Sequence, residues 1–368
     1  MKTKRSTPLT LSGLLSIHGG SLGALIAAAV SVAAHAQEVK SRPVGFLTQT
    51  IPAGQTASFS IPFDPDVSSR PDAIRRVSAV GATYIDSEGA AWSAGAFSAP
   101  ASPYAVRFTS GQASGRIFLV SSTANTASRL YLETDGLDLG SLQIETGTTG
   151  ASFEVLPADT LATFFGSNTP GDALVVQGGA DARAADLVQL WAGSGWKRYY
   201  FNTLWNRWAL DSDTEVDASR NHALLRPDRG IMITRRGDTP LVVAVVGRVL
   251  AVPHRAVQLG NENLQSLLAT MQPGDTTLGN LALQRSDRVA GWRSSSDSAQ
   301  ADILSVWSGA TWLSFFHNDS AGYWQRVGDP GANRDGFVIR AGVPVFVQRR
   351  AATTTGVDRT IAFPAAIP

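Results

Sequence analysis

Short runs of alternating hydrophobic and polar residues fill the first part of this sequence, and turn-forming residues separate the runs. Arg129–Glu133 alternates with a period of two, which is the pattern of a strand with one face in water. Val44–Ile51 ends at a Pro-Ala-Gly turn, and such turns predict antiparallel hairpins. Together the runs indicate a first β domain over residues 37–150. Its other predicted strands are 59–63, Tyr104–Phe108 and 116–120, and the run 84–92 is interrupted by a turn at 86–89.

Two stretches of the second half are copies of each other. Residues 185–196, ADLVQLWAGSGW, reappear 116 positions later at 301–312 as ADILSVWSGATW. The closing segments 226–236 and 340–350 match at a shift of 114. These matches indicate a tandem duplication, with unit A at 151–256 and unit B at 257–368. A duplicated unit predicts two copies of one fold related by a pseudo-twofold axis, with residues 249–260 as the connection between them.

Each unit begins with a segment whose pattern predicts a short helix instead of a strand. Residues 156–166 and 272–281 share Pro, Asp and Thr at a shift of 116. Asp159 and Asp275 precede apolar runs, a pattern that predicts short helices with aspartate as the N-cap. The predicted fold class is therefore all-β, mainly antiparallel and sandwich- or barrel-like, with a few short helical turns and an internal duplication in the second half.

The first 36 residues have the organisation of a secretory leader. Lys2, Lys4 and Arg5 precede an apolar stretch at 22–32, and small residues around Ala36 follow it. This order predicts a signal peptide over residues 1–36. We therefore expect an exported protein (periplasmic, cell-surface or secreted) whose mature chain has no transmembrane segment. Because the sequence contains no cysteine, an exported fold must hold together by its core.

The charge balance excludes one large class of partners. The chain has 31 Lys and Arg against 30 Asp and Glu. Removal of the predicted signal peptide leaves 28 basic and 30 acidic residues, a net charge of −2. Since nucleic-acid binding depends on a concentrated basic surface, we do not predict nucleic acid as a partner.

Three groups of motifs carry a resemblance to a known family. They are PVGF at 43–46 with IPAG at 51–54, the pattern SGxxxGRxF from Ser110 with Asn125-Thr126, and DTL at 159–161 with Phe165-Gly166. In this order they resemble a poorly characterised group of exported, tandem-repeat, β-rich proteins of verrucomicrobial-type bacteria. The resemblance implies export and this layout over nearly all of the mature chain. It implies no established activity.

The aromatic residues of the duplicated segments are the best candidates for a binding surface. Trp191 and Trp196 bracket four residues, as Trp307 and Trp312 do in the second copy, so each pair should face across a hairpin. Such pairs stabilise hairpins and fill small cores, whereas exposed rings would form a platform for sugar rings. The candidate ligand-binding residues are Trp191, Trp196, Tyr199, Asn202, Trp208, Trp307, Trp312, Phe315, Asn318 and Trp324.

A weaker candidate is a metal site. Asp211, Asp213, Glu215 and Asp217 place carboxylates at alternate positions, as in a calcium-binding loop. The sixth position lacks the glycine and the twelfth the glutamate that such loops use. We therefore expect a solvated acidic turn, with a Ca²⁺ site as the alternative and no other cofactor.

Enzymatic chemistry finds little support in the sequence. The chain after the predicted signal peptide lacks the zinc-protease, nucleophile-elbow and P-loop motifs and has no cysteine nucleophile. Glycosidases need only two facing carboxylates, and Asp186 and Asp302, which open the duplicated meanders, are the acids to test first. The preferred function is a non-enzymatic exported protein with a structural, adhesive or envelope-associated role. Carbohydrate binding through the aromatic meanders is the alternative and a glycan-directed hydrolase the distant one, so the expected partner is a glycan or another envelope component.

Overall fold

The computed structural model describes residues 43–65, 67, 74–214, 219–258, 265–289, 291–329, 331–350 and 360–366. Antiparallel β-sheets dominate, with 39% strand and 5% helix. The predicted fold class, all-β with short helical turns, is therefore confirmed. None of the helices in the described ranges has the length and apolar composition that a membrane crossing requires.

The first nine strands include one complete sheet. β1 (Val44–Ile51) and β2 (Thr56–Phe59) are joined by the predicted turn, but they do not form the expected hairpin, because they lie in different sheets and pair with later strands. β2 ends where the strand predicted at 59–63 begins. The following strands make one sheet in the order β3-β9-β6-β7-β8-β5-β4, here called the seven-stranded domain. They are β3 (Ile74–Arg76), β4 (Ala79–Val80), β5 (Tyr84–Asp86), β6 (Tyr104–Phe108), β7 (Ile117–Val120), β8 (Arg129–Glu133) and β9 (Ser152–Pro157), with 3₁₀ turns at Leu139–Leu142 and Gly147–Thr149.

Two modules make up the rest of the structure. The first module combines β1 and β2 with β10 (Asp159–Thr160), α1 (Leu161–Phe165), β11 (Leu187–Trp191), β12 (Trp196–Asn202), β13 (Arg207–Leu210), β14 (Leu224–Leu225), β15 (Ile231–Thr234) and β16 (Leu241–Arg248). The second module contains β17 (His254–Val257), β18 (Gln265–Leu268), β19 (Thr276–Thr277), α2 (Leu278–Leu281), β20 (Ile303–Trp307), β21 (Trp312–Asn318), β22 (Tyr323–Arg326), β23 (Val338–Ile339), β24 (Val345–Gln348) and β25 (Thr360–Phe363).

The two modules have the same sheet order. The five-stranded sheets are β2-β15-β11-β12-β13 and β18-β24-β20-β21-β22. The pair β10-β14 corresponds to β19-β23, and the two-stranded ribbon β1-β16 corresponds to β17-β25. The seven-stranded domain lies between β2 and β10, where the second module has only residues 269–275 between β18 and β19. The duplication thus includes β1 and β2, whose sequences do not resemble those of β17 and β18.

Both short helices form where the sequence predicts them, but their N-caps differ from the prediction. Thr160 caps α1, since its Oγ1 accepts from the Thr163 amide over 3.2 Å. In the second module Thr277 takes this role, as its Oγ1 accepts from the Asn280 amide over 3.2 Å. A threonine hydroxyl caps a helix as a carboxylate does. Asp159 lies one position too early, and burial raises the pKa of its carboxyl group.

Equivalent side chains close the core of each module. Tyr199, Trp208 and Ile233 are buried in the first, and their counterparts Phe315, Trp324 and Val347 are buried in the second. A large aromatic side chain removes 150–250 Å² from water, which at about 25 cal/mol per Å² contributes roughly 4–6 kcal/mol of transfer free energy. The aromatic residues that occupy equivalent positions in the two copies therefore contribute a large part of the apolar burial in each module.

Candidate functional site

Four of the candidate aromatic residues lie in the module cores. Trp208 and Trp324 are fully buried, and Tyr199 and Phe315 are buried beside them. The Trp208 indole Nε1–H donates to the Gly166 carbonyl oxygen over 2.9 Å at the end of α1. These four rings pack the sheets and have no free face for a ligand.

The two candidate asparagines organise turns. The Asn202 Oδ1 accepts hydrogen bonds from the backbone amides of Leu204 and Trp205, over 2.9 and 3.0 Å. The Asn318 Oδ1 accepts from the Ala321 amide over 3.0 Å. Both side chains are buried. They therefore fix the loops after β12 and β21 and do not offer an amide to solvent.

The four other candidate tryptophans form the two cross-strand pairs that the sequence predicts. Trp191 pairs with Trp196 across β11 and β12, with ring centroids 5.2 Å apart and planes at 71°. Trp307 pairs with Trp312 across β20 and β21, at 5.3 Å and 66°. All four side chains are half-buried. Edge-to-face geometry of this kind locks each hairpin.

One indole of each pair also reaches the other module. Trp191 Nε1–H donates to the carbonyl oxygen of Gln265, the first residue of β18, over 2.9 Å. Trp307 Nε1–H donates to the carbonyl oxygen of Thr56, the first residue of β2, over 2.7 Å. Thr56 and Gln265 occupy the same place in the two modules, because their strand partners Thr234 and Gln348 are 114 residues apart. The tryptophan contacts are therefore reciprocal.

The backbone shows the same reciprocity. The Ser60 amide donates to the Gly342 carbonyl oxygen over 2.8 Å, and the Ala269 amide donates to the Asp228 carbonyl oxygen over 3.1 Å. Gly342 and Asp228 again differ by 114 positions. Near the centre, a Cβ on Gly230 would lie 2.4 Å from the Cβ of Pro344, which is its own counterpart. Contacts between equivalent residues are the mark of a twofold interface, and they support the predicted pseudo-twofold relation.

The acids that open the meanders are held in two copies of one buried network. Asp186 pairs with Arg235 and Asp302 with Arg349, the latter over 2.7 Å between Oδ2 and Nε. Each carboxylate also accepts from an amide nine residues upstream, over 2.8 Å in both copies, and from the amide after its paired arginine. Carboxylates that accept so many bonds serve the fold and are closed to a substrate.

The acidic turn is only partly described. Asp211 forms an ion pair with Arg198 over 2.6 Å. Asp213 binds Arg220 through both oxygens, and this guanidinium lowers the pKa of the carboxyl group. The other predicted ligands, at positions 215 and 217, lie outside the described residues. Among the described residues no three acidic, histidine or cysteine side chains gather as a metal site.

A buried ionic cluster joins the two modules to the seven-stranded domain. Arg107 of β6 donates Nη2–H to Asp64 Oδ1 over 2.9 Å, and Arg248 of β16 donates Nη1–H to Glu154 Oε1 over 2.9 Å. His254 Nδ1 lies 3.4 Å from Arg107 Nη1. Burial, together with the charge of Arg107, lowers the pKa of His254 to about 3, so the imidazole is neutral. No motif marks these residues, because each comes from another segment of the chain.

A cleft of about 670 Å³ opens between β1 of the first module and loops of the second. Trp307 forms part of its wall, and Leu47 and Leu313 add apolar surface. Gln49 also lines the cleft, and its Nε2–H donates to the Ser58 carbonyl oxygen over 2.7 Å. The Gln49 Oε1 is buried and has no hydrogen-bond partner among the described residues. The cleft therefore combines an aromatic and apolar wall with polar side chains such as Thr48 and Asp275.

The sequence matches no protein-family model and no curated protein, and the fold matches no solved structure. The resemblance to the verrucomicrobial-type group therefore stays a prediction, and the function has to be argued from the contacts described above.

Proposed function

We propose that this chain is an exported, non-enzymatic β-sheet protein with a structural, adhesive or envelope-associated role. The observation that carries the proposal is the burial of the duplicated residues: Asp186, Asp302, Trp208 and Trp324 have no exposed surface. Residues retained through a duplication for catalysis would need contact with a substrate. These residues instead complete the core and the ion pairs of both copies.

The reciprocal tryptophans fit the same role. Trp191 and Trp307 place indole donors on carbonyl oxygens at the edges of β18 and β2. Exposed strand edges are sites of unwanted pairing between molecules. A protein that works outside the cytoplasm without disulfides gains from edges closed by its own side chains.

Carbohydrate binding is a second candidate because one part of the predicted platform stays half-exposed. Trp196 and Trp312 are half-buried, so part of each indole faces solvent. A glycan array probed with residues 37–368, followed by quenching of tryptophan fluorescence, tests this candidate. Binding that is lost in the Trp196→Ala and Trp312→Ala variants would support it, and the absence of any glycan response would remove it.

Export is tested by expressing the full chain and a variant that lacks residues 2–36 in a Gram-negative host. We expect the full chain in the periplasmic, envelope or medium fraction, with a mature mass that begins at Gln37. The truncated variant should stay in the cytoplasm.

An Ala36→Arg variant provides the control, since a large basic residue at the predicted cleavage site should leave the exported chain uncut. Full-length chain that remains cytoplasmic and unprocessed would contradict the proposed export. Turnover of a glycan, peptide or ester substrate by the pure mature chain would contradict the non-enzymatic part of the proposal.

A further inference from the structure

Strand β1 presents a backbone edge that no other strand of the described ranges covers. In an antiparallel pair, alternate residues direct their N–H and C=O groups toward the partner strand, and the others direct them away. The Val249 amide donates to the Pro43 carbonyl oxygen over 2.9 Å, so the odd-numbered residues of β1 bond to β16. Arg248, opposite Val44, accordingly directs its backbone away from β1 and bonds to Asp64. The even-numbered residues of β1 point to the other edge, where no described strand pairs with them.

The 670 Å³ cleft runs along this edge. Four consecutive residues, Leu47, Thr48, Gln49 and Thr50, line it. A strand that turned only one face to the cleft would contribute every second residue, so four in succession mean that β1 lies edge-on. The backbone donors and acceptors of Thr48 and Thr50 are therefore directed into the cleft.

The corresponding strand of the second module already has a partner on this edge. The Arg255 amide of β17 donates to the Gly115 carbonyl oxygen over 2.9 Å, and Arg255 forms a parallel bridge with Arg116. Gly115 has φ +83°, and a Cβ there would lie 1.7 Å from the Pro253 carbonyl oxygen. The seven-stranded domain thus forms a backbone hydrogen bond at the edge of β17 that corresponds to the open edge of β1.

A pair of equivalent side chains, Arg229 and Val343, also leaves the space beside β1 less filled than the space beside β17. Arg229 in the first module is buried and donates to the Val257 carbonyl oxygen, which fills the space beside β17. Its counterpart, 114 positions later, is Val343, which is short and lines the cleft beside β1. The space beside β17 is therefore filled by a side chain of the first module, whereas the equivalent space beside β1 is an open cleft.

We propose that the free edge of β1 binds an extended peptide segment of another protein, which joins the ribbon β1-β16 as a third strand inside the cleft. A peptide backbone repeats donors and acceptors at the spacing of a strand edge, which a sugar does not. Four edge residues at about 3.3 Å each give about 13 Å, so the bound segment is about four residues long. The inference goes beyond the proposed role and does not depend on export.

The walls of the cleft define the side chains that fit. Trp307, Leu313 and Val343 give apolar contacts, and Asp275 and Arg340 add charges of opposite sign. Because successive side chains of a strand alternate between its two faces, we expect apolar residues at every second position of the peptide.

The test uses phage-displayed random nonapeptides selected against immobilised mature chain, residues 37–368. Each enriched peptide is then synthesised and titrated by fluorescence anisotropy against three single variants. Thr48→Pro and Thr50→Pro remove an outward amide inside the cleft, and the proline ring occupies the place of the added strand. Phe46→Pro is the matched control, since its amide lies on the same edge but outside the residues that line the cleft. Circular dichroism and thermal melting verify that all three fold.

We expect enriched peptides with alternating apolar residues whose affinity falls about tenfold or more in Thr48→Pro and Thr50→Pro and stays within about twofold in Phe46→Pro. Hydrogen exchange at the Thr48 and Thr50 amides should slow when such a peptide binds the unaltered chain. The proposal is overturned if no peptide is enriched, or if binding is indifferent to both cleft prolines. A glycan that binds in a Trp307-dependent manner while the two cleft prolines leave its affinity unchanged would likewise replace it.

Discussion

The two modules differ in one hydrogen-bond donor at the interface between them. At the centre of the interface Gly230 of the first module faces Pro344, its counterpart in the second. The Gly230 amide donates to the Leu267 carbonyl oxygen of β18 over 3.0 Å. Pro344 has no amide hydrogen and cannot donate in the same way. The carbonyl oxygen of Ser58 in β2, which is equivalent to that of Leu267, accepts a hydrogen bond from the Gln49 side chain instead. The same acceptor position is thus satisfied in two ways.

The difference continues outward from this centre. In the second module the ribbon β17-β25 is mostly buried against the seven-stranded domain and other parts of the chain. In the first module the outer face of β1-β16 is open, with Phe46 and Val246 paired there and each 68% exposed. The duplicated cores are therefore equivalent, whereas the surfaces have diverged. We therefore expect a feature that both modules share to stabilise the fold, and a feature that only one module has to serve a specific contact.

The buried carboxylates give the largest expected effect and test the equivalence itself. Asp186→Ala and Asp302→Ala each leave an arginine and two amides without their acceptor, so each should lower the free energy of unfolding by about 3–5 kcal/mol. Urea unfolding followed by tryptophan fluorescence measures this loss. Asp287→Ala is the control: its ion pair with Arg285 is exposed, and we expect no measurable change. A much smaller loss for one of the two buried sites would show that the networks are not equivalent.

The equivalence of the two modules could be predicted from the sequence because short local motifs recur in both copies. The spacing of Trp191 and Trp196 predicts a cross-strand pair over a four-residue loop, and the pair lies there. The bounds of Val44–Ile51, Tyr104–Phe108 and Arg129–Glu133 agree with the predicted strands, since alternation and turn residues determine them locally.

Long-range pairing could not be predicted in this way. β1 and β2 pair with β16 and β15, nearly two hundred residues further on, and no periodicity encodes a partner at that distance. The segment 249–260, expected as a connection, contains β17, whose partner Thr360–Phe363 lies near the end of the chain. The candidate site suffers from the same limit, because the cleft beside Trp307 exists only after β1 reaches the second module.

The contact between the seven-stranded domain and the second module can be broken at one glycine. Gly115→Ala places a Cβ against the Pro253 carbonyl oxygen and displaces the acceptor of the Arg255 amide. Gly136→Ala is matched, since both glycines have φ +83° and nothing lies within 4 Å of a Cβ at Gly136. The strained φ costs about 1–3 kcal/mol in both variants. Gly115→Ala should cost about 1–3 kcal/mol more, for the unsatisfied amide.

Differential scanning calorimetry on both variants measures this difference. If the two glycine variants lose the same stability, the contact between Gly115 and β17 does not stabilise the fold. The edge of β17 would then not be distinguished from the open edge of β1 by that contact.

The core tryptophans of the two modules differ in hydrogen bonding, and we expect this difference to have a smaller effect on stability. Trp208 Nε1–H bonds to Gly166, whereas Trp324 Nε1 is buried without a hydrogen-bond partner among the described residues. Phenylalanine at either position removes similar apolar area, but only Trp208→Phe also breaks a hydrogen bond. We therefore expect Trp208→Phe to be less stable than Trp324→Phe by about 0.5–1.5 kcal/mol in urea unfolding. The reverse order would mean that ring size, and not the indole donor, distinguishes the two cores.

The smallest effect concerns the centre of the interface, where Gln49 substitutes for an amide. Gln49→Ala removes the donor to the buried Ser58 carbonyl oxygen and should cost about 0.5–1.5 kcal/mol. Pro344→Gly restores the amide that Gly230 provides in the other half. In the double variant the glycine amide can donate to Ser58, so the loss from Gln49→Ala should shrink by about 0.5–1 kcal/mol. A double-mutant cycle by chemical unfolding measures this coupling, and strictly additive losses would show that the Gln49 side chain and the Gly230 amide are not equivalent donors.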